Sequence, residues 1–223
     1  MTKHLRNEIE RLKKRILALS AYVEGCVYNA VKSFTERDIT LARKCIEADE
    51  EVDQMEVEVE EDCLKILALH QPVANDLRFI VAVLKINNDL ERIGDLASNI
   101  SDNAIFLATK EKVDVPFDLL KMAEKVKTML KQSIDSLVNL DAPLAKQVCE
   151  RDDDIDSLHR EMYRVIEKRI TEQPERIDCL IRFLSSSRQL ERIADHATNI
   201  AEDVIYMIEG EIYRHRVEEF NVG

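Results

Sequence analysis

Residues 88–103 read NDLERIGDLASNISDN, and residues 188–203 read RQLERIADHATNIAED. Eight of these sixteen positions are identical: Leu90/Leu190, Glu91/Glu191, Arg92/Arg192, Ile93/Ile193, Asp95/Asp195, Ala97/Ala197, Asn99/Asn199 and Ile100/Ile200. In both copies the aliphatic residues return at steps of three and four, the period of an α-helix and not the alternation of a strand. A second match lies upstream, where ADEEVDQM (48–55) corresponds to RDDDIDSL (151–158) and Pro72 to Pro174. Similarity recurring at a period near a hundred residues means one structural unit written twice.

Working outward, the prolines at 72, 116, 143 and 174 stand where helices should begin, because Pro fits the first helical turn and disfavours helix in the residue before it. The apolar residues between them, such as Val52, Met55, Val59, Cys63 and Ile66, form helical stripes. This predicts an all-α protein of six long helices over about 3–35, 38–70, 72–109, 116–139, 142–171 and 174–210. Short connections make successive helices antiparallel, so the chain should form two sequence-related three-helix bundles, over residues 1–111 and 112–223. The composition agrees: 45% hydrophobic and 34% charged, with four Gly, four Pro and no Trp.

Several classes of function are disfavoured. A net charge of −12 works against a nucleic-acid partner, whose phosphates call for Lys and Arg. No apolar run approaches a membrane span and the first residues do not resemble a signal peptide, so a cytoplasmic location is expected, with membrane contact only through partner proteins. The five cysteines lie singly with no C-x-x-C and are expected as small core residues. No Gly-rich phosphate loop, G-x-S-x-G or Cys/His motif marks a catalytic nucleophile, so no enzymatic activity and no organic cofactor are expected.

The acids carry the chemistry. Asp49 and Asp53 on the second helix, Glu91 and Asp95 on the third, and then Asp152 with Asp156 and Glu191 with Asp195, each stand four apart and so share a helix face. With 44 acidic residues in 223, such spacing also arises by chance, and then means only a solvated face. Two features raise these pairs above that reading. They recur at matching places in both units, and they continue an apolar line. Taking Glu91 as zero, Asp95, Asn99 and Asp102 fall near about 40°, 80° and 20°, while Leu77, Ile80 and Leu84 upstream fall near about 40°, −20° and 20°. Ile177, Leu180 and Leu184 lead into Glu191, Asp195 and Asn199 in the same way. Clustered carboxylates suit a hard cation; an acidic groove without metal is the other outcome. His159, standing where the first unit has Glu56, suggests two unequal sites.

LERIGD and LERIAD, each closing a three-helix unit whose preceding helix carries DEEVD or DDDID, resemble the PhoU family of phosphate-uptake regulators. The resemblance runs from the charged first helix through QPVANDLR (71–78) to EGEIYRH (209–215). It implies a non-catalytic, usually dimeric protein that restrains a phosphate ABC transporter through its nucleotide-binding subunit and holds a sensor histidine kinase off when phosphate is plentiful. It also implies a cluster of iron or another divalent or trivalent metal on the paired motifs. In this chain those are Asp49, Asp53, Glu91 and Asp95, and Asp152, Asp156, Glu191 and Asp195, with Asn99, Asp102, Asn199 and Asp203 extending the same lines. A carboxylate-bridged di-iron oxidase or iron store is the rival, suggested by Asp156-x-x-His159. A helical co-chaperone module is a third reading and leaves the duplicated acids unexplained.

Overall fold

The computed structural model describes residues 3–115 and 117–210. Every regular element in them is helical: α1 (Lys3–Glu36), α2 (Ile39–Glu47), α3 (Asp49–His70), α4 (Ala74–Ala108), α5 (Leu119–Asn139), α6 (Ala142–Cys149), α7 (Asp152–Glu172), a 3-10 turn (Pro174–Arg176) and α8 (Ile177–Glu209). The six helices of the sequence reading are present, but the second of each unit is broken, at Ala48 and at Glu150–Arg151. At both breaks one amide is shared between two carbonyls: Ala48 N–H with those of Ile46 and Lys44, Glu150 N–H with those of Lys146 and Val148. The cause lies in the run of acids that follows. Asp49, Glu50 and Glu51, like Asp152, Asp153 and Asp154, occupy the first turn of a new helix, where free amides and the helix dipole favour negative charge.

The repeat extends to the turns. Arg37 (φ 55°) and Leu140 (φ 53°) close the first helix of each unit in the left-handed region. Asp38 and Asp141 follow and cap the next helix, their Oδ1 atoms accepting from Leu41 N–H at 3.0 Å and Leu144 N–H at 2.9 Å. Asp38→Ala or Asp141→Ala is expected to cost about 1 kcal/mol each, measured by urea unfolding. Helix α5 begins at Leu119 rather than near 116, because Asp118 accepts from Lys121 N–H at 3.0 Å and sets the cap there. Pro116 lies outside the described residues, as does the 211–215 part of the EGEIYRH stretch.

Helices α4 and α8 form the centre. Ile80, Ile86, Ile93, Ile193, Ile200 and Val204 are fully buried within one apolar cluster that runs through both units. Polar links between the two helices show the repeat as a pseudo-two-fold. Lys85 pairs with Asp203 at 2.9 Å, and at the equivalent places Asn103 donates to Ser185 Oγ at 3.3 Å. Because the partner's number falls as the first rises, the two helices run antiparallel. Across the units, Phe34 of α1 meets Phe183 of α8 edge to face with centroids 5.4 Å apart.

Basic residues of α1 are engaged within the fold: Arg15 reaches the buried Asp62 of α3 at 3.1 Å, with Arg11 at 3.7 Å. Four cysteines are buried as expected, while Cys149 is only half-buried. Burial pushes the thiols of Cys26, Cys63 and Cys149 up to about 12, far from a reactive thiolate. Among the described residues, no helix is long and apolar enough to cross a membrane.

Candidate metal centre

Each break in the second helix delivers an aspartate to the third. In the second unit the first two turns of α7 carry Asp152 and Asp156 towards Glu191 and Asp195 of α8. Asp156, Glu191 and Asp195 each offer a carboxylate oxygen within 4.8 Å of the others. No other group of three potential ligands approaches so closely among the described residues. Burial, then the charge of Asp195, pushes Asp152 up to about 6, against a hydrogen bond from Thr198 Oγ1 to its Oδ1 at 3.2 Å. Asp195 is likewise pushed up to about 6 by burial and by Glu191 and Asp156. Glu191 is raised by burial and by Asp156 and Asp152, with Arg188 and Arg192 opposing. Four acids held against their own repulsion are what a multivalent cation relieves, and an all-oxygen set suits a hard one.

The first unit has the same plan with a different state. Asp49 is pushed up to about 6 by burial, Asp95 and Asp53, and Ser98 bonds it as Thr198 bonds Asp152. Glu91 is raised by burial and by Asp95, Asp53 and Glu56. Here Arg92 closes over the acids, 3.2 Å from Glu91 and 3.1 Å from Asp95, so a metal must displace a guanidinium. Gly94 permits the close approach: a Cβ there would lie 3.0 Å from Val52 Cγ1 and 3.3 Å from Asp49 Oδ1. Glu56 is bonded by Asn87 Nδ2 at 2.9 Å.

The outlying candidates go elsewhere. Asn99 and Asp102 are exposed on α4, and Asp102 is not among the charges acting on Asp49 or Glu91. Asn199 donates to Asp89 Oδ1 of α4 at 3.3 Å, beside the 2.7 Å contact of His196 Nδ1 with the same oxygen. Asp203 is 2% exposed and held by Lys85. For Asn199 and Asp203 the reason is the helical period: every step of four residues rotates about 40°, so by Asp203 the line from Glu191 has turned about 120°, onto the α4 interface; Asp102 keeps the angle of Glu91 but lies about 16 Å further along its helix. His159 is bonded through Nδ1 to Ser187 Oγ at 2.9 Å and does not join the three carboxylates. The sequence reading missed Ser98 and Thr198; their signal was a hydroxyl repeated at one position of the two copies.

Comparison with known proteins agrees with this architecture. The family model described as "PhoU domain" matches residues 16–104 and again 119–204. A "Phosphate-specific transport system accessory protein PhoU homolog" of Aquifex aeolicus is 37% identical over 209 residues, covering 94% of this chain and 95% of the relative. The homologue of Pseudomonas aeruginosa is 35% identical, covering 93% and 86%. The crystal structure of PhoU from Pseudomonas aeruginosa superposes with a TM-score of 0.88 at 35% identity, covering 92% of this chain and 99% of that one. That of the phosphate transport system regulatory protein PhoU from Streptococcus pneumoniae gives 0.83 at 25% identity, with 93% and 98% covered. With both halves matched by one domain model and the fold shared nearly end to end, the chain belongs to the PhoU family.

Proposed function

We propose that this protein is a non-catalytic regulator of phosphate uptake, an accessory component that negatively regulates a phosphate-specific ABC transporter when phosphate is plentiful. It works on the cytoplasmic side as a homodimer, binding the transporter's nucleotide-binding subunit and the sensor histidine kinase that reports phosphate supply. The observation that carries this reading is the likeness, over 94% of the chain, to accessory proteins of phosphate-specific transport systems. Its acidic clusters hold iron or another divalent or trivalent cation, the second more readily than the first. Support for that order is the gathering of Asp156, Glu191 and Asp195, against the guanidinium that closes the first cluster.

The rival oxidase or iron store is not favoured, since the imidazole such a site would use bonds Ser187. What the site gathers is carboxylates suited to holding a cation. The test is a pull-down followed by calorimetry with the nucleotide-binding subunit and the kinase, at high and low phosphate and with iron or manganese present. Saturable binding to both partners is expected. No binding to either under any of these conditions overturns the regulator reading.

A further inference from the structure

The groove between α7 and α8 in the second unit differs from its repeat in the first. An open cavity of about 650 Å³ is lined by His159, Tyr163, Ile181, Leu184, Arg188 and Arg192, among others. Tyr163 is 56% exposed and Ile181 49%. At the corresponding places the first unit carries Glu56, Glu60, Val81, Leu84, Asn88 and Arg92. The apolar strip is kept, but its rim has changed from acidic to basic, in a chain whose net charge is −12.

The arginines differ in engagement too. Arg92 is bound to Glu91 and Asp95, whereas Arg188 and Arg192 reach no carboxylate within 4.0 Å among the described residues. Both lie near enough to Glu191, itself at the groove, to favour its ionised form. They stand four apart on one face, at the end of a row that begins with the exposed Ile177 and Ile181. From Ile177 to Arg192 this row is about 22 Å long, the length of a helix of about fifteen residues.

We propose that this groove docks an acidic amphipathic helix of a partner protein, its apolar stripe on Ile177, Ile181, Leu184 and Tyr163 and a pair of carboxylates on Arg188 and Arg192. Such helix-in-groove recognition reads apolar anchors at helical spacing, with charge setting register and selectivity. Glu191 opposes an anion seated deeper, so the acids sit over the arginines at the rim. The first unit, with Glu56 and Glu60 on its rim, rejects the same helix. The inference rests on the regulator reading and names the chemistry of the segment that one of its partners presents.

The test uses the full chain and a fluorescent helical peptide of about sixteen residues, leucine-striped at one end and carrying two glutamates four apart at the other. Fluorescence anisotropy should show saturable binding that weakens with salt. The Arg188→Gln, Arg192→Gln variant should weaken it about tenfold, as expected for two charge-assisted contacts at a partly exposed rim. A peptide with lysine in place of both glutamates should not bind, and Arg92→Gln should leave binding unchanged; circular dichroism checks the fold of each variant. Equal binding by wild type and the double variant overturns the proposal, as does no binding at millimolar peptide. Displacement by a short single-stranded oligonucleotide as readily as by the unlabelled acidic peptide overturns it too. If the peptide fails while the pull-down succeeds, the partner uses another face and the regulator reading stands; the converse leaves the groove without that partner.

Discussion

The Glu191→Gln, Asp195→Asn double variant is expected to melt roughly 2–4 °C above the wild type in chelator-treated buffer at pH 7.5, and to lose at least about a hundredfold in affinity for iron or manganese. Both effects come from the same crowding. Asp195 has its carboxyl pushed up to about 6, and Glu191 is raised beside it, so ionising them at neutral pH costs the fold free energy that the unfolded chain does not spend. After discounting for solvent screening at this half-exposed site, removing the charge recovers about 1 kcal/mol.

The sign is fixed by linkage. A carboxyl whose folded pKa lies above its unfolded value keeps its proton longer in the native state, so acidification stabilises the native state. The wild type therefore gains on the variant as pH falls through about 6, and the gap closes near the ordinary carboxylate value of 3.8. Adding cation at pH 7.5 reverses the order, because mass action stabilises only the protein that binds it. Differential scanning fluorimetry across pH, with elemental analysis of protein purified without chelator, checks both halves. A variant that is no more stable and retains full metal content defeats the cluster reading.

Lys85→Ala is expected to have the largest effect on stability, a loss of about 2–3 kcal/mol, or roughly 4–12 °C in melting temperature. Lys85 Nζ lies 2.9 Å from Asp203 Oδ1, and the two side chains are 42% and 2% exposed. Truncating the lysine takes the cation from a buried carboxylate where α4 crosses α8, at the contact between the two units. It also removes the ammonium lying 5.3 Å from the centre of the Tyr206 ring. Lys85→Met with Asp203→Leu should restore most of the loss, since an apolar pair of similar volume avoids desolvating either charge. Thermal melts of the wild type, Lys85→Met, Asp203→Leu and the double variant complete the cycle and give the coupling. Additive losses from the single variants would show that the pair contributes nothing.

Ile93 and Ile193 show how far the sequence could be read. Each returns at the helical step of three and four that predicts a core stripe, and each is fully buried. Glu91 and Asp95, and Glu191 and Asp195, were placed on one face by the same reasoning, and in the second unit two of them meet Asp156 of α7. Asn199 and Asp203 were assigned to that face because they stand in the same row of fours. The row turns as it advances, and the structure gives them to α4. The breaks at Ala48 and Glu150–Arg151 were marked by consecutive acids, which suit a helix start, but the apolar residues on either side, Cys45 and Val52, and Val148 and Ile155, stay seven apart and in phase, which conceals them.

By itself, then, the sequence determined what one helix determines: which residues share a face, that one unit is written twice, and that acids continue an apolar line. These follow from a fixed rotation per residue, which the order of residues already contains. Tertiary structure decided what lies opposite each face. Arg92 closes the first cluster while Arg192 lines a groove, although both follow the same Leu-Glu. The surroundings differ: the groove beside Arg192 is lined by His159 and Tyr163 with Arg188 alongside, and the matching positions of the first unit hold Glu56, Glu60 and Asn88. A long charged side chain settles where several elements together place charge and space, and that sum exists only once the helices have packed.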